Sequence, residues 1–247
     1  MVSSKHCLYR VMAHNKLPTS CSKVPLIKDV QAEQEEEGDS NHGYKMFDSS
    51  DSEEETNVVP VQALKIDWLD MSFMGCPQSV ALSGLPGCRF RNIFQNLSAD
   101  LDNIEERGIT DVVMLVTKGE LRKYRVPDLI SEYEIRGICV HHYPFIDGTA
   151  PSIDIVMAIT DCIRQGLEEK RKILVHCMGG LGRACVIASC LLQYFDNSVT
   201  PDQTIFLLRD LRGACAVQTV KQYNFIQDFR SLFERWMDED IDRSVSR

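Results

Sequence analysis

The sequence predicts an α/β protein with a mostly parallel central sheet flanked by helices. Three short β-branched runs recur along the chain: Asp111–Val116 (DVVMLV), Ile138–Tyr143 (ICVHHY) and Lys172–His176 (KILVH). Stretches with helical spacing separate them, and the third run passes through a glycine-rich turn into an apolar stretch. Strands separated by helices pair in parallel and are covered on both faces.

Each element follows from its own residues. Residues 1–57 show no sustained period, and Gln31–Glu37 and Asp48–Glu55 are polar and acidic. Such a segment cannot bury enough apolar surface to offset its ordering entropy. We therefore expect a disordered acidic tail over 1–57 and one domain over 58–247. Helices are expected at Leu97–Arg107, Val126–Tyr133 and Ser152–Glu169. Arg183–Phe195 is apolar on nearly every face, as a buried helix is. Pro201–Leu211 and Gln218–Trp236 close the domain, with Pro201 suited to a first helical turn. Ligands of such sheets bind beyond the carboxyl ends of the strands.

Charge narrows the function classes. The 247 residues carry a formal net charge of −9. Residues 31–55 hold ten acids against Lys45 alone, and residues 1–30 hold five bases against Asp29. The remainder, with 21 bases and 25 acids, is close to neutral, which argues against a broad nucleic-acid-binding surface. The longest mostly apolar stretch, Ala184–Leu192, is too short to span a bilayer, so no membrane is expected. Ten cysteines occur without C-x-x-C pairs, zinc spacing or a secretory h-region, which points to a reducing cytoplasmic or nuclear compartment. The acid-free first 28 residues loosely resemble a transit peptide, a reading that one arginine (Arg10) and two prolines disfavour. Ser49, Ser50 and Ser52 in FDSSDSEEE are acceptors for an acid-directed kinase, or part of a solvated tail.

The chemistry concentrates in His176–Cys177–Met178–Gly179–Gly180–Leu181–Gly182–Arg183. It follows a strand and opens a buried helix. Its three glycines let successive N–H groups of residues 178–183 converge on one point. A helix N-terminus adds about half a positive charge there, forming a cradle for a phosphate. Arg183 can close it with a two-pronged bond. Cys177 lies at the bottom of this field, where a thiol becomes a nucleophilic thiolate. C-x5-R alone is weak evidence in a chain with ten cysteines. The histidine, the glycines and the strand–loop–helix context make the combination specific, and no P-loop GK[ST] ending is present.

This segment resembles the HCxxGxxR signature of the cysteine-dependent protein tyrosine and dual-specificity phosphatases. The likeness extends from about Phe47 to Arg247 through FDSSDSEEE, LSGLPGCRF, KGELRKYRVPDL, HHYPFIDGTAP, HCMGGLGRAC, RDLRGACAVQTVKQYNFIQDFR and RSVSR. It implies Cys177 as nucleophile, Arg183 as phosphate clamp and Asp147 in PFIDGTAP as general acid, with Asp154 the nearest rival. It assigns water positioning to Gln218 and loop support to His176. His141 and His142 are expected to be structural. No metal or cofactor is expected.

One departure stands out: family members usually carry Ser or Thr after the signature arginine, and here Ala184 stands there. A hydroxyl at that position stabilises the sulfur as leaving group, so its absence slows phosphocysteine breakdown. Met178, Gly179, Leu181 and Gly182 add no positive side chain to the loop, which favours a monophosphorylated protein over a phosphoinositide. The resemblance implies the activation-segment phosphothreonine of a cyclin-dependent kinase as substrate, met by a monomer docking partly through its C-terminal helix. Phe225, Phe229 and Phe233 there serve either docking or the core. A phosphoprotein-binding module with poor turnover is the alternative reading; an RNA triphosphatase is disfavoured by the near-neutral body.

Overall fold

The computed structural model describes residues 62–245, so the expected tail at 1–57 and the start of the domain at 58 lie outside the described residues. A five-stranded sheet forms from β1 (Ile66–Trp68), β2 (Val80–Ser83), β5 (Asp111–Met114), β6 (Cys139–His142) and β7 (Ile173–His176), in the order β1-β2-β7-β5-β6. A hairpin of β3 (Arg89–Phe90) and β4 (Ile93–Phe94) lies apart from it. β2, β7, β5 and β6 are mutually parallel, and β1 is the antiparallel edge. The α/β class with a mostly parallel sheet is thus as expected.

Register positions the site. Ser83 pairs with His176, His176 with Met114, and Met114 with His142. The carboxyl ends of four parallel strands therefore lie in one row, with β7 near the middle. Their outgoing loops, led by Gly84, Leu115, Tyr143 and Cys177, leave from the same edge.

The helices are α1 (Leu97–Glu106), α2 (Lys118–Lys123), α3 (Leu129–Ile135), α4 (Ile153–Glu168), α5 (Arg183–Phe195), α6 (Pro201–Arg212) and α7 (Val220–Val245). Several start on side-chain caps: Asn96 accepts from the Ala99 N–H, and Ser152 from the Ile155 N–H. Thr117–Glu120 and Thr200–Gln203 form reciprocal capping boxes. α5 runs through the core, buried from Arg183 to Gln193. Val112, Val113, Leu174 and Val175 of the inner strands are fully buried with it.

Several elements differ from expectation. The helix expected at Val126–Tyr133 is α3, which starts three residues later at Leu129, and α2 at Lys118–Lys123 was not expected. Pro127 disfavours helical backbone at Val126, and Arg125 turns into the left-handed region at φ 63°. β1 and β2 went unread because three or four residues show no measurable period. α7 starts at Val220 and not at Gln218, because Thr219 caps it by accepting the Gln222 N–H. On α7, Phe229 is buried and Phe225 and Phe233 pack against the core, with the Phe233 ring against Tyr194 at 5.6 Å. Core packing therefore occupies these phenylalanines.

Candidate active site

Cys177 leaves β7 buried, at the bottom of the loop 177–182. Gly180 has φ 68°, a region open to glycine, and its N–H donates to Cys177 Sγ at 3.3 Å. A Cβ on Gly180 would strike Arg212 and the Ser83 carbonyl.

Successive loop carbonyls are bound from outside. The Leu85 N–H donates to Met178 O at 2.9 Å and the Val217 N–H to Leu181 O at 2.9 Å. Arg212 donates from Nε to Gly180 O at 3.2 Å and from Nη2 to Gly179 O at 3.5 Å. The Val186 N–H takes Gly182 O at 3.0 Å as α5 begins. With the carbonyls turned outward, the amides of the turn are left on the inner side. α5 has Gly182 at its N-cap and no side-chain cap, so its first N–H groups are not spent on a side chain. Arg212 is itself held by Asp67 at 2.6 Å and by donation from Nη1 to Leu82 O and Lys65 O, both at 3.3 Å.

Arg183 is fully buried, and neighbours occupy its guanidinium. Nη1 donates to Leu115 O at 3.1 Å, Phe145 O at 3.0 Å and Glu120 Oε2 at 2.9 Å, while Nη2 donates to Glu120 Oε1 at 2.6 Å. Nε lies 3.2 Å from Asp147 Oδ1, an ion pair without hydrogen-bond alignment. Burial opposes the charge on Arg183, but the bonds from Glu120 and the nearby Cys177 raise its pKa. Burial likewise raises the Glu120 carboxyl, yet Arg183 and the Thr117 N–H outweigh it and hold it below the ordinary glutamate range.

Asp147 lies in the turn after β6, half-exposed. The turn closes through the Thr149 N–H to Ile146 O at 3.2 Å, and Thr219 Oγ1 donates to Gly148 O at 2.9 Å, tying it to the start of α7. Asp154 instead accepts from Trp236 Nε1 at 2.9 Å, away from the loop. Gln218 and Gln222 lie over Gly182, where a Cβ would fall 2.8 Å from Gln218 Oε1 and 2.9 Å from Gln222 Nε2. Gln222 is buried and its Oε1 accepts the Gln218 N–H at 2.9 Å.

His176 is fully buried beneath the loop, its Nε2 3.3 Å from the Tyr133 hydroxyl. Burial pushes its pKa down to about 4, so the ring is neutral at pH 7. His142 Nε2 meets Val116 O at 2.7 Å and His141 Nε2 meets Asp111 Oδ1 at 2.9 Å, structural contacts of the kind expected.

The sequence model of the family described as Cyclin-dependent kinase inhibitor 3 (CDKN3) matches residues 40–205, more than half of the chain. The chain belongs to the cyclin-dependent kinase inhibitor 3 family. Among curated members, the chain is 43% identical over 204 residues to that of Rattus norvegicus, covering 81% of this chain and 95% of the relative. It is 42% identical over 204 residues to that of Homo sapiens, with the same coverage. A crystal structure of kinase associated phosphatase (KAP) with its catalytic-site cysteine substituted by serine is 42% identical to this chain. It covers 69% of this chain and 96% of its own, at a TM-score of 0.66. Tk-PTP in its active form, 32% identical, covers 64% of this chain and 92% of its own at a TM-score of 0.51. The fold is thus that of the protein tyrosine phosphatases, and this member of the cyclin-dependent kinase inhibitor 3 family is a protein phosphatase.

In this cyclin-dependent kinase inhibitor 3 family member, one group of possible metal ligands occurs among the described residues: Asp111, Cys139 and His141, with ligand atoms within 4.8 Å of one another. It sits at the amino ends of β5 and β6, the opposite edge of the sheet from the loop, and Arg171 already pairs with the Asp111 carboxylate. Among the described residues no helix is long and apolar enough to cross a membrane.

Sequence reasoning missed Glu120, Arg212, Gln222 and Thr219. The Thr117–Glu120 capping-box spacing and the Gln218–Gln222 spacing of four were the available signals. Nothing local marks Arg212.

Proposed function

We propose that the chain hydrolyses phosphothreonine, phosphoserine and phosphotyrosine in proteins through a phosphocysteine on Cys177, with the activation segment of a cyclin-dependent kinase as substrate. The observation that carries this reading is the loop itself: carbonyls 178–181 are bound from outside, and the Gly180 N–H is aimed at Cys177 Sγ. An inward ring of amides above a sulfur suits a phosphoryl dianion in line for attack.

The Cys177 thiolate attacks phosphorus, forming S–P as the bond to the substrate oxygen breaks. Asp147 gives its proton to that leaving oxygen. The loop amides and Arg183 stabilise the charge on the equatorial oxygens. Water then attacks phosphorus, giving its proton to Asp147 as S–P breaks, and inorganic phosphate and the thiolate result. Gln218, over Gly182, orients that water, and neutral His176 supports the loop without transferring a proton. Phosphate competes with Asp147 for Arg183 Nε, and capture frees the carboxylate to take a proton from solvent and turn, as the acid, toward the leaving group.

The kinase assignment rests on the family and on relatives named cyclin-dependent kinase inhibitor 3 and kinase associated phosphatase. The loop adds no cationic side chain between Cys177 and Arg183, which suits a singly phosphorylated residue. No disulfide joins the described cysteines, consistent with a reducing cytoplasmic or nuclear setting. Ala184 motivates a second reading, a phosphoprotein-binding module with slow turnover.

The test is phosphate release from a phosphothreonine-bearing cyclin-dependent kinase by the wild-type protein and by Cys177→Ser. Release by the wild type alone supports the phosphatase reading. Tight binding by both without release supports the binding module instead.

A further inference from the structure

Next to Tyr124, at the end of the helix that bears Glu120, lies a cationic cleft that the chemistry above does not use. It has a volume of about 530 Å³ and is lined by Arg89, Arg91 and Arg125 together with Phe90 and Phe94. Arg183, Arg212, Arg136, Arg164 and Arg171 all pair with carboxylates. Among the described residues, no carboxylate lies within ion-pair distance of Arg89, Arg91 or Arg125. All three are exposed. Arg91 and Arg125 are held in left-handed backbone, at φ 53° and 63°, a conformation unfavourable for a side-chain-bearing residue and recurrent at ligand clamps. Lys123 adds a fourth positive charge, stacked on Phe90 at 5.4 Å, and Arg91 covers the same ring at 5.2 Å.

One aromatic layer joins this cleft to the catalytic loop. The Arg89 N–H donates to Tyr124 O at 3.1 Å, and the Phe90 and Tyr124 rings meet edge-on at 5.2 Å. Tyr124 ends α2, the helix whose Glu120 grips Arg183. Its hydroxyl, raised by burial, also feels the charges of Glu120, Asp147 and Arg183. The cleft is therefore within a few residues' reach of a phosphoresidue held above Cys177.

We propose that Arg89, Arg91 and Arg125 form a second anion site that takes an acidic stretch of a protein substrate, flanking the residue at the catalytic loop. The shared chemistry is an oxyanion pair on a polypeptide, supplied by carboxylates or by a second phosphoryl group. Guanidinium forks pair with either. Its role in turnover rests on the phosphatase reading above; its binding does not.

The test uses the full chain and four peptides of equal length. One carries phosphothreonine with an acidic flank, one phosphothreonine with a neutral flank, one phosphothreonine with a second phosphothreonine in the flank, and one the acidic flank alone. Replacing the three arginines by glutamine lowers kcat/KM on the acidic-flank peptide about tenfold, through KM, the sum expected of three exposed charge pairs. Turnover of the neutral-flank peptide and of p-nitrophenyl phosphate is unchanged. A larger loss on the doubly phosphorylated peptide than on the acidic one assigns the site to phosphate; the reverse assigns it to carboxylates. Arg91→Glu transfers the preference to a basic-flank peptide, which misfolding cannot imitate. Fluorescence anisotropy of the unphosphorylated acidic peptide reads binding even if no peptide is hydrolysed, in which case the phosphatase reading fails separately. Equal losses on acidic and neutral peptides, no loss of peptide binding in the triple variant, or tighter binding of a single-stranded RNA than of the acidic peptide overturns the proposal.

Discussion

The Asp147 carboxylate lies 3.2 Å from Nε of Arg183, so the proposed acid and the proposed phosphate clamp are paired with each other. Both stand at the carboxyl edge of the sheet, Asp147 after β6 and Arg183 at the start of α5. Glu120 grips the other end of the guanidinium. In the proposed mechanism an incoming phosphate displaces the Asp147 carboxylate and leaves that of Glu120 in place.

Asp147→Asn therefore has two opposite effects. Turnover of a phosphothreonine peptide falls about 10²–10⁴-fold, the usual contribution of a positioned acid. Turnover of p-nitrophenyl phosphate, whose leaving group needs no proton, falls far less. Inhibition by inorganic phosphate tightens, because the competitor for Arg183 Nε has lost its charge. Parallel losses on both substrates refute the assignment of Asp147.

The Arg212 fork holds the loop from behind. Arg212→Met removes the donors to Gly179 O and Gly180 O and leaves Asp67 without its close guanidinium partner. Stability falls by about 2–4 kcal/mol, toward the range for breaking a partly buried ion pair. Phosphate affinity falls as well, since carbonyls released from Arg212 let the amides turn. Gly180→Ala acts on the same contact, because its Cβ meets Arg212 and Ser83 and its φ disfavours a side chain. A urea titration and phosphate inhibition constants check both. Loss of stability with unchanged phosphate affinity refutes the bracing role.

His176 sets a pH dependence of stability. Its folded pKa is depressed, from about 6.5 to about 4, by burial against Tyr133. A depressed histidine contributes stability that is fully present above pH 6.5. That stability is lost as pH falls toward 4, because the unfolded chain takes a proton that the folded one refuses. The loss is about 3 kcal/mol by pH 4. Glu120 and Asp111, both held below their ordinary values, add a further loss at lower pH. His176→Asn flattens the urea midpoint between pH 7 and 5 relative to the wild type. An unchanged slope refutes this.

Ala184→Ser restores a hydroxyl directly after Arg183. A hydrogen bond to a charged sulfur contributes about 1.5–3 kcal/mol, or roughly 10–150-fold in phosphocysteine breakdown. Rapid-quench trapping finds the phosphorylated Cys177 intermediate accumulating in the wild type and not in the serine variant. Equal, low accumulation in both refutes slow breakdown.

Where an element is made by its own residues, the linear chain announces it. The catalytic loop is of this kind. Its glycines, the adjacent apolar strand and the following helix lie within a few residues, and the conformation at Gly180 is a local requirement. α4 and α6 were readable for the same reason, through period and capping residues, and α5 as an apolar run that leaves the glycine turn. β1, β2 and the β3–β4 hairpin were not, because strands of two to four residues carry too few alternations to be told from loops.

The surroundings of the loop were invisible for a different reason. Glu120 reaches Arg183 across 63 residues, and Arg212 reaches Gly180 across 32. Neither separation has a periodicity to betray it. The choice between docking and packing for Phe229 was equally open until α7 was laid against α5. Local sterics and turn chemistry thus wrote the cradle into the order of residues. Which buried charges face it, and where arginines without carboxylate partners gather, depends on free energies of burial and pairing that exist only once distant segments share one interior.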